Sequence, residues 1–487
     1  MAHFDWTLDD NELLNDAHTL VVIARKADLT DGWPLVGLPS AIRAVAQRVA
    51  ADLKPGAAPV GTTLLPEGLG PKTLTVIALY DKVSRHLSDT RSYEIYQSLR
   101  SLARPDGGKV AIVAAVPDQG HALGVNLGIA RSYSLYSRKS GNKNQQGSVK
   151  IQLRARTGLL TTQPLWAMAV AAVRNAQRLV DMPTMELDTA VFEQEARQAL
   201  EGVAHVTIES IVGDALLQAG LRGLHAVGRT AMVPPRVVLL DYNPPGAKGP
   251  PVALIGKGLV YDTGGLSLKI VGDRMLTMKC DMGGAAAVLG AFTMLAQSGS
   301  PKRVIAALAM AENAIGPNSY RPDDIIEMHS GRTMEVNNTD AEGRIALADA
   351  ASYVARKYHP EVLIDAATLT GAQLVATGKW HAAIVSNDGD LEAKVLAAGL
   401  ATGDHCMPIL YAPELHASEY KSNVADMRNS VADRNNAASS ASGLWVWMHI
   451  DDLDIRWAHI DLAGPAFLDN RGSGYGVGLI YSLVQSL

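Results

Sequence analysis

The stretch GKGLVYDTGGLSLK, residues 256–269, places three charged side chains inside and just after an apolar run. The run starts upstream, in PVALIGKGLVYD (251–262), and is typical of a strand that is buried on both faces. Lys257 lies within it, Asp262 ends it and Lys269 follows it. A dry, unpaired ammonium is costly, so Lys257 needs a carboxylate or a metal beside it. The stretch therefore predicts a central strand with a charged site at its end.

Further strands and helices alternate around this stretch. Apolar runs predict strands at RVVLLDY (236–242), RVIAALAMAE (303–312), EVLIDAAT (361–368) and HAAIVSND (381–388), and helical spacing predicts helices at GGAAAVLGAFTMLAQ (283–297) and GRIALADAASYVARKY (343–358). Such alternation is typical of an α/β fold with a mostly parallel or mixed sheet flanked by helices. Ligands bind at the carboxyl ends of the strands in such folds, and the charged residues lie at or just beyond those ends.

The first third of the chain has the same α/β pattern. Strand-like runs occur at 20–24, 73–80 and 109–116, and a helical stretch occurs at 40–53. An Ala-rich helical pattern starts at Pro164, and Pro183 cannot continue it. With 487 residues, two domains are expected. We predict a smaller, non-catalytic N-terminal α/β domain over 1–163, a linking helix over 164–184 and a catalytic domain over 185–487.

The composition excludes several classes of protein. Apolar residues make up 47% and charged residues 19%, as in an ordinary globular protein. The net charge of -5 makes nucleic acid an unlikely main partner, and no apolar run is long enough to cross a membrane. Cys280 and Cys406 give neither a disulfide framework nor a zinc spacing, and the acidic start is unlike a secretory signal. We expect a cytoplasmic protein.

Three more carboxylates follow the first stretch. Asp281 precedes a glycine pair in KCDMGGAA, and NNTDAEGR places Asp340 and Glu342 two residues apart, with Arg344 beside them. Together with Asp262 these are four oxygen donors without His or Cys, which favours Mn²⁺, Mg²⁺ or Zn²⁺. Four carboxylates suit two metal ions about 3.5 to 4 Å apart.

The motifs GKGLVYDTGG, KCDMGGAA and NNTDAEGR, followed by DAATLTGA, resemble those of the leucyl aminopeptidase family of metallopeptidases. The resemblance runs from about residue 170 to the C-terminus, and the first third matches loosely. The variants YDTGG and SVADRNN are closer to the probable-aminopeptidase branch than to the lens-type enzymes.

The resemblance implies a site with two metal ions. Asp262 and Glu342 would bridge them, Lys257 and Asp281 would complete one ion, and Asp340 would complete the other. Lys257 would then be a neutral amine ligand. The ions implied are Mn²⁺ or Zn²⁺, with Mg²⁺ as a third candidate.

The resemblance also implies roles for the residues around the metals. Lys269 would polarise the scissile carbonyl, and Arg344 would hold a bicarbonate ion that acts as general base. Met278, Thr368, Leu369 and Gly371 would line the substrate-binding site. Lys269 and Asp281 are twelve positions apart, one more than the family spacing, which predicts an insertion within 270–277.

The function implied is hydrolysis of the N-terminal residue of peptides through a metal-bridging hydroxide, by a homohexamer. Two alternatives remain at this point, an inactive peptidase-like scaffold and a nucleic-acid-binding protein. The intact ligand set argues against the first, and the negative net charge argues against the second.

Overall fold

The computed structural model describes residues 2–102, 108–140, 147–270 and 275–487. Part of the segment predicted to contain a one-residue insertion, 271–274, therefore lies outside the described residues. The chain forms two compact units. One comprises Met1–Arg174 and Gly399–His405, and the other Asn175–Ala398 and Cys406–Leu487. Within the described ranges, no helix combines the length and the apolar character needed to cross a membrane.

The first unit contains a seven-stranded sheet in the order β1-β6-β5-β2-β4-β3, with β7 paired to β6. Its strands are β1 His3–Trp6, β2 Thr19–Arg25, β3 Val60–Leu64, β4 Thr73–Leu79, β5 Lys109–Ala115, β6 Ser148–Ala155 and β7 Gly158–Leu159. Its helices are α1 Asp10–Leu14, α2 Lys26–Asp31, α3 Ser40–Asp52, α4 Ser92–Arg100, α5 Ala122–Arg131 and α6 Pro164–Asp181, the last of which continues into the second unit.

Both faces of this sheet are covered. Along β2, Leu20 and Val22 pack in one apolar cluster and Val21 and Ile23 in another, because successive side chains of a strand point to opposite faces. The sheet is parallel except at β3 and β7. Both observations fit a helix-covered α/β layer.

The second unit is built on an eight-stranded sheet in the order β16-β15-β18-β14-β10-β11-β9-β8. These strands are β8 Val206–Val212, β9 Arg236–Tyr242, β10 Val252–Asp262, β11 Val304–Asn313, β14 Val362–Ala367, β15 Ala382–Ser386, β16 Cys406–Pro408 and β18 Arg456–Asp461. The central four, β18, β14, β10 and β11, are mutually parallel, whereas β9 and β15 run antiparallel to their inner neighbours. The predicted mixed α/β sheet is confirmed.

Helices and two small sheets complete this unit. The helices are α7 Thr189–Ala199, α8 Ala215–Gln218, α9 Arg222–Gly228, α10 Gly283–Gln297, α11 Glu342–Tyr358, α12 Ala372–Ala376, α13 Gly389–Thr402, α14 Pro413–His416, α15 Ala438–Trp447 and α16 Val477–Ser486. The small sheets pair β12 Ile325–Glu327, β13 Thr333–Glu335 and β17 Met427–Arg428, and β19 Phe467–Leu468 with β20 Arg471–Gly472.

An irregularity in β10 decides where its charged side chains lie. Lys257 pairs with Ala309 of β11 and Asp262 pairs with Asn313, with a register shift between Leu259 and Tyr261. Asp262 is therefore five residues after Lys257 on β10, whereas their partners on β11 are only four residues apart. Residues five apart in a regular strand face opposite sides, and one extra residue brings them to the same side. This irregularity lets Lys257 and Asp262 line one cavity.

Candidate active site

A cavity of about 1120 Å³ lies in the second unit, at the carboxyl ends of its central strands. All the site residues predicted from the sequence line it, namely Lys257, Asp262, Lys269, Met278, Asp281, Asp340, Glu342, Arg344, Thr368, Leu369 and Gly371. The structure therefore brings together segments that are more than 100 residues apart in the sequence.

Three carboxylates form the centre of the cavity. Oxygen atoms of Asp262, Asp340 and Glu342 all lie within 4.8 Å of one another. The side chains of Asp262 and Glu342 are 4% and 3% exposed, which is rare for acidic residues unless they are paired or bind a metal. Asp262 is fixed through its Oδ1, which accepts hydrogen bonds from the Gly264 amide and from Asn313 Nδ2, both at 2.8 Å.

Lys257 joins this centre to Asp281. Its Nζ lies 2.7 Å from Asp281 Oδ2 and 3.2 Å from Glu342 Oε1, and it donates a hydrogen bond to the Thr368 carbonyl at 2.9 Å. Burial opposes the charge of Lys257, but Asp281, Glu342 and Asp262 outweigh it and raise the pKa of the ammonium. Burial also raises the pKa of Asp281 to about 8, against the attraction of Lys257. The pKa of Lys257 rises because carboxylates surround it, and the pKa of Asp281 rises mainly because burial disfavours its charge, with Asp262 and Glu342 adding repulsion.

Lys269 contacts the carboxylates of Asp262 and Asp340. Its Nζ lies 2.8 Å from Asp262 Oδ2 and also contacts Asp340 Oδ1. Burial opposes the charge of Lys269, and the carboxylates around it raise its pKa. Burial and repulsion from Glu342 and Asp262 raise the pKa of Asp340 to about 6 in spite of this lysine.

The charge balance of the cluster fits divalent cations. Two lysines face four carboxylates, namely Asp262, Asp281, Asp340 and Glu342. Glu342 Oε2 is buried and has no hydrogen bond to any described residue. Oxygen donors with surplus negative charge are what Mn²⁺, Zn²⁺ and Mg²⁺ bind. The residues present therefore suit a pair of such ions.

Arg344 differs from the lysines because no carboxylate pairs with it among the described residues. Its guanidinium donates to Tyr420 Oη at 3.2 Å and to Ser442 Oγ at 2.9 Å. Its Nε is buried without a hydrogen bond to the described part of the chain. A buried guanidinium with a spare donor, next to a cavity, is suited to an anion.

Two glycines allow the close packing on which the site depends. A Cβ at Gly284, in the first turn of α10, would lie 2.0 Å from the Ala366 carbonyl oxygen of β14. A Cβ at Gly343 would lie 2.5 Å from Lys257 Cε. Since Gly284 follows Asp281 closely and Gly343 follows Glu342, the absence of side chains lets both carboxylates approach Lys257.

The residues directly after β14, which line the cavity, donate hydrogen bonds to two carboxylates. Thr368 Oγ1 donates to Asp281 Oδ1 at 2.8 Å, and the Leu369 amide donates to the buried Asp461 Oδ1 at 3.1 Å. The lining also includes four exposed apolar side chains, namely Leu266, Leu268, Ile270 and Leu276. The cavity therefore joins a charged centre to an apolar wall.

Two residues of the cavity region were missed by the sequence reasoning. Asn313 is fully buried and holds Asp262, and its position at the end of β11 beside Asp262 is a signal that strand pairing could have given. Arg434 also lines the cavity. It lies in a polar loop between β17 and α15 and not at the end of a predicted strand, so its sequence position gave no signal of a functional role.

Residues 174–481 match the cytosol aminopeptidase family, catalytic domain. The chain belongs to this family. It is 40% identical over 417 residues to probable aminopeptidase NPEPL1 of Mus musculus, covering 84% of this chain and 79% of that protein. It superposes on leucyl aminopeptidase from Leishmania major in complex with actinonin with a TM-score of 0.91 and 33% identity, covering 100% of this chain and 95% of that one.

A more distant member of the fold carries a metal. The bottromycin maturation enzyme BotP in complex with Mn has a TM-score of 0.77 and 27% identity, covering 96% of this chain and 99% of that one. As a cytosol aminopeptidase family member with this carboxylate cluster, the chain is a metal-dependent aminopeptidase. The resemblance found in the sequence is confirmed, and the aminopeptidase interpretation is favoured over an inactive scaffold or a nucleic-acid-binding protein.

Proposed function

We propose that the chain removes the N-terminal residue of peptides at a two-metal centre in this cavity. The observation that carries the proposal is the Asp262–Asp340–Glu342 cluster, in which Asp262 and Glu342 are buried, with Lys257 and Asp281 beside it. Asp262 and Glu342 would be shared by the two ions. Lys257 and Asp281 would complete one ion, and Asp340 the other. The surplus of carboxylates over lysines supports this assignment.

When bound, the ions supply Lewis acidity and lower the pKa of a bound water. Lys269 contributes an ammonium at the edge of the cluster, 15% exposed, where it can stabilise negative charge on the carbonyl oxygen of the substrate. Its contacts with Asp262 and Asp340 hold that ammonium in place.

Arg344 would hold a bicarbonate ion as general base. The hydrogen bonds to Tyr420 and Ser442 fix the guanidinium, and its buried Nε leaves a donor for the anion. A base held there could accept a proton from the attacking water and deliver it to the leaving amine.

The residues that hold the ions would also select an N-terminus, because an ion held there could take the free α-amine as a ligand, whereas an amide nitrogen is a poor ligand. We propose Met278, Thr368, Leu369 and Gly371 as the substrate wall. Methionine is flexible and apolar, which suits apolar N-terminal side chains without strong discrimination among them.

Mn²⁺ or Zn²⁺ are the favoured ions, and Mg²⁺ is a third candidate; the Mn complex of BotP supports the first. We propose a cytoplasmic homohexamer that acts on peptides, with residues 185–487 as the catalytic domain and residues 1–163 without a catalytic role. Its relatives named as cytosol aminopeptidases support the location.

The test is hydrolysis of a panel of aminoacyl-anilides by metal-stripped protein that is re-supplied with Mn²⁺ or Zn²⁺. We expect metal-dependent release that falls by more than about a hundredfold in Asp262→Ala and Glu342→Ala. Glu67→Gln, at an exposed turn of the first unit, is the matched control and should retain activity. Full activity in either alanine variant, or no activity with any substrate at confirmed metal occupancy, would overturn the proposal.

A further inference from the structure

Among the described residues, four cationic side chains line the cavity, and three of them are engaged. Lys257 and Lys269 pair with the carboxylate cluster, and Arg344 donates to two hydroxyl groups. The fourth, Arg434, is exposed and makes no hydrogen bond or ion pair with the described residues. Within the described part of the chain, Arg434 is therefore the lining cation whose charge is available to a ligand.

The loop that carries Arg434 is held in place by Glu419. Glu419 Oε2 accepts a hydrogen bond from the Asp433 amide at 2.9 Å, and its Oε1 accepts one from Asn436 Nδ2 at 2.7 Å. Its backbone carbonyl accepts a third from the Ala432 amide at 3.1 Å. The loop is thus fixed on both sides of Arg434.

These contacts also occupy the acidic groups closest to Arg434 in the loop. Both oxygens of Glu419 are used, which lowers the pKa of its carboxyl group mainly through the hydrogen bond from the Asp433 amide. Asp433 Oδ1 accepts from the Asn435 amide at 2.8 Å. No carboxylate of the described residues pairs with this guanidinium, although Asp433 precedes Arg434 in the sequence and Glu419 is hydrogen-bonded to the loop.

We propose that Arg434 binds a carboxylate of the substrate, and so favours short peptides or peptides that carry an acidic residue after the first. The proposal rests on the proposed function, in which the α-amine lies at the carboxylate cluster. A cavity of about 1120 Å³ has room for a substrate that extends beyond its first residue. A planar guanidinium matches a carboxylate in two parallel hydrogen bonds.

The carboxylate has two sources, which paired substrates separate. Leu-Gly and Leu-Gly amide differ in the C-terminal carboxylate alone, whereas Leu-Asp amide and Leu-Asn amide differ in a side-chain carboxylate. kcat and KM would be measured for each with wild type, Arg434→Gln and Arg434→Lys. Arg43→Gln, at an exposed arginine of α3 outside the cavity lining, is the matched control.

For Arg434→Gln we expect KM to rise about fivefold to tenfold for the substrates with a carboxylate, with kcat nearly unchanged. The amides without one should be unaffected, and Arg434→Lys should restore part of the loss, because it keeps the charge without the planar pair of donors. The pair that responds identifies the source of the carboxylate.

Equal effects on substrates with and without a carboxylate, or no effect on either, would overturn the role of Arg434. If metal-loaded wild type hydrolyses none of these peptides and none of the aminoacyl-anilides, the proposed function is wrong, and the inference with it. The two failures are therefore distinguishable.

Discussion

A single lysine determines much of the chemistry that could be inferred from this sequence. Lys257 interrupts an apolar strand, and the cost of burying an ammonium without partners predicted carboxylates around it. The structure places Asp281 and Glu342 within 3.2 Å of its Nζ. The same argument could not find Asn313 or Arg434, because a neutral amide carries no desolvation penalty of that size and an exposed arginine carries almost none.

At Lys269 we predict a loss of turnover rather than of binding. Lys269→Gln removes the ammonium that would stabilise charge on the carbonyl oxygen, so kcat should fall about a hundredfold or more while KM changes by a few-fold. Steady-state kinetics on an aminoacyl-anilide would measure this. Lys248→Gln, at an exposed loop, is the control. Because Lys269 also touches Asp262 and Asp340, metal content must be measured, and a kcat loss explained by lost metal would contradict the role.

At His449 we predict acid sensitivity of folding. Burial, helped by Arg332 and Arg356, lowers the pKa of this 1%-exposed histidine to about 3, and its Nδ1 lies 2.7 Å from Ser330 Oγ. Its folded pKa is below the ordinary value of 6.5, so its contribution to stability is present above pH 6.5 and is lost as the pH falls towards 3. Between pH 6.5 and 5 the loss is about 2 kcal/mol in the free energy of unfolding.

Denaturant unfolding at pH 7 and pH 5 would test this. His449→Gln should unfold with a smaller difference between the two pH values than wild type. His359→Asn, at an exposed αL position, should keep the wild-type difference. An unchanged pH difference in His449→Gln would show that other groups cause the acid sensitivity.

At the scale of elements, long apolar runs were predicted well and short or exposed segments were not. β9 and α10 begin and end at the predicted residues, and β10 differs by one residue. β8, whose residues alternate between half-buried and exposed, was missed because it lacks a continuous apolar run. The irregularity in β10 was also invisible, since the pairing partner that defines it lies on another strand.

At the start of α10 we predict that Gly284→Ala disrupts the site. The new Cβ would lie 2.0 Å from the Ala366 carbonyl, which is backbone and cannot move aside cheaply. The helix must therefore shift, and Asp281 with it, so we expect a loss of about 1 to 3 kcal/mol in stability and at least a tenfold loss in kcat/KM. Thermal unfolding and kinetics would measure both.

The matched control is Gly389→Ala at the first residue of α13, where a Cβ meets nothing within 4 Å. It should be neutral or slightly stabilising. Wild-type kinetics in Gly284→Ala would contradict the packing argument for Asp281.

Glu419 holds the loop that carries Arg434, so we predict that Glu419→Ala reproduces part of the effect of losing Arg434. The variant removes two of the three hydrogen bonds that hold the loop, so Arg434 must be ordered when the substrate binds. KM should rise about threefold for Leu-Gly and stay constant for Leu-Gly amide. An equal rise for both peptides would mean that Glu419 supports the cavity in general rather than the position of Arg434.

For the whole molecule, the order of the motifs along the chain carried the family assignment, because each motif alone is weak and the structure brings all of them to one cavity. Assembly could not be derived in the same way. A hexamer depends on surfaces that no periodicity or spacing marks as buried, so it stays a prediction from the resemblance, to be checked by sedimentation of the full chain.

The last prediction concerns the stability of the whole chain with and without metal. Four carboxylates and only two lysines form the cluster, so divalent ions that bind only the folded state should stabilise the chain by about 2.7 kcal/mol at a concentration one hundred times Kd. Differential scanning calorimetry of metal-stripped protein, titrated with Mn²⁺, would detect this as a rise in Tm. Asp262→Ala and Glu342→Ala should lose most of the rise, and Glu67→Gln should keep it. An equal rise in all variants would place the ions elsewhere, because binding at other sites does not require these two carboxylates.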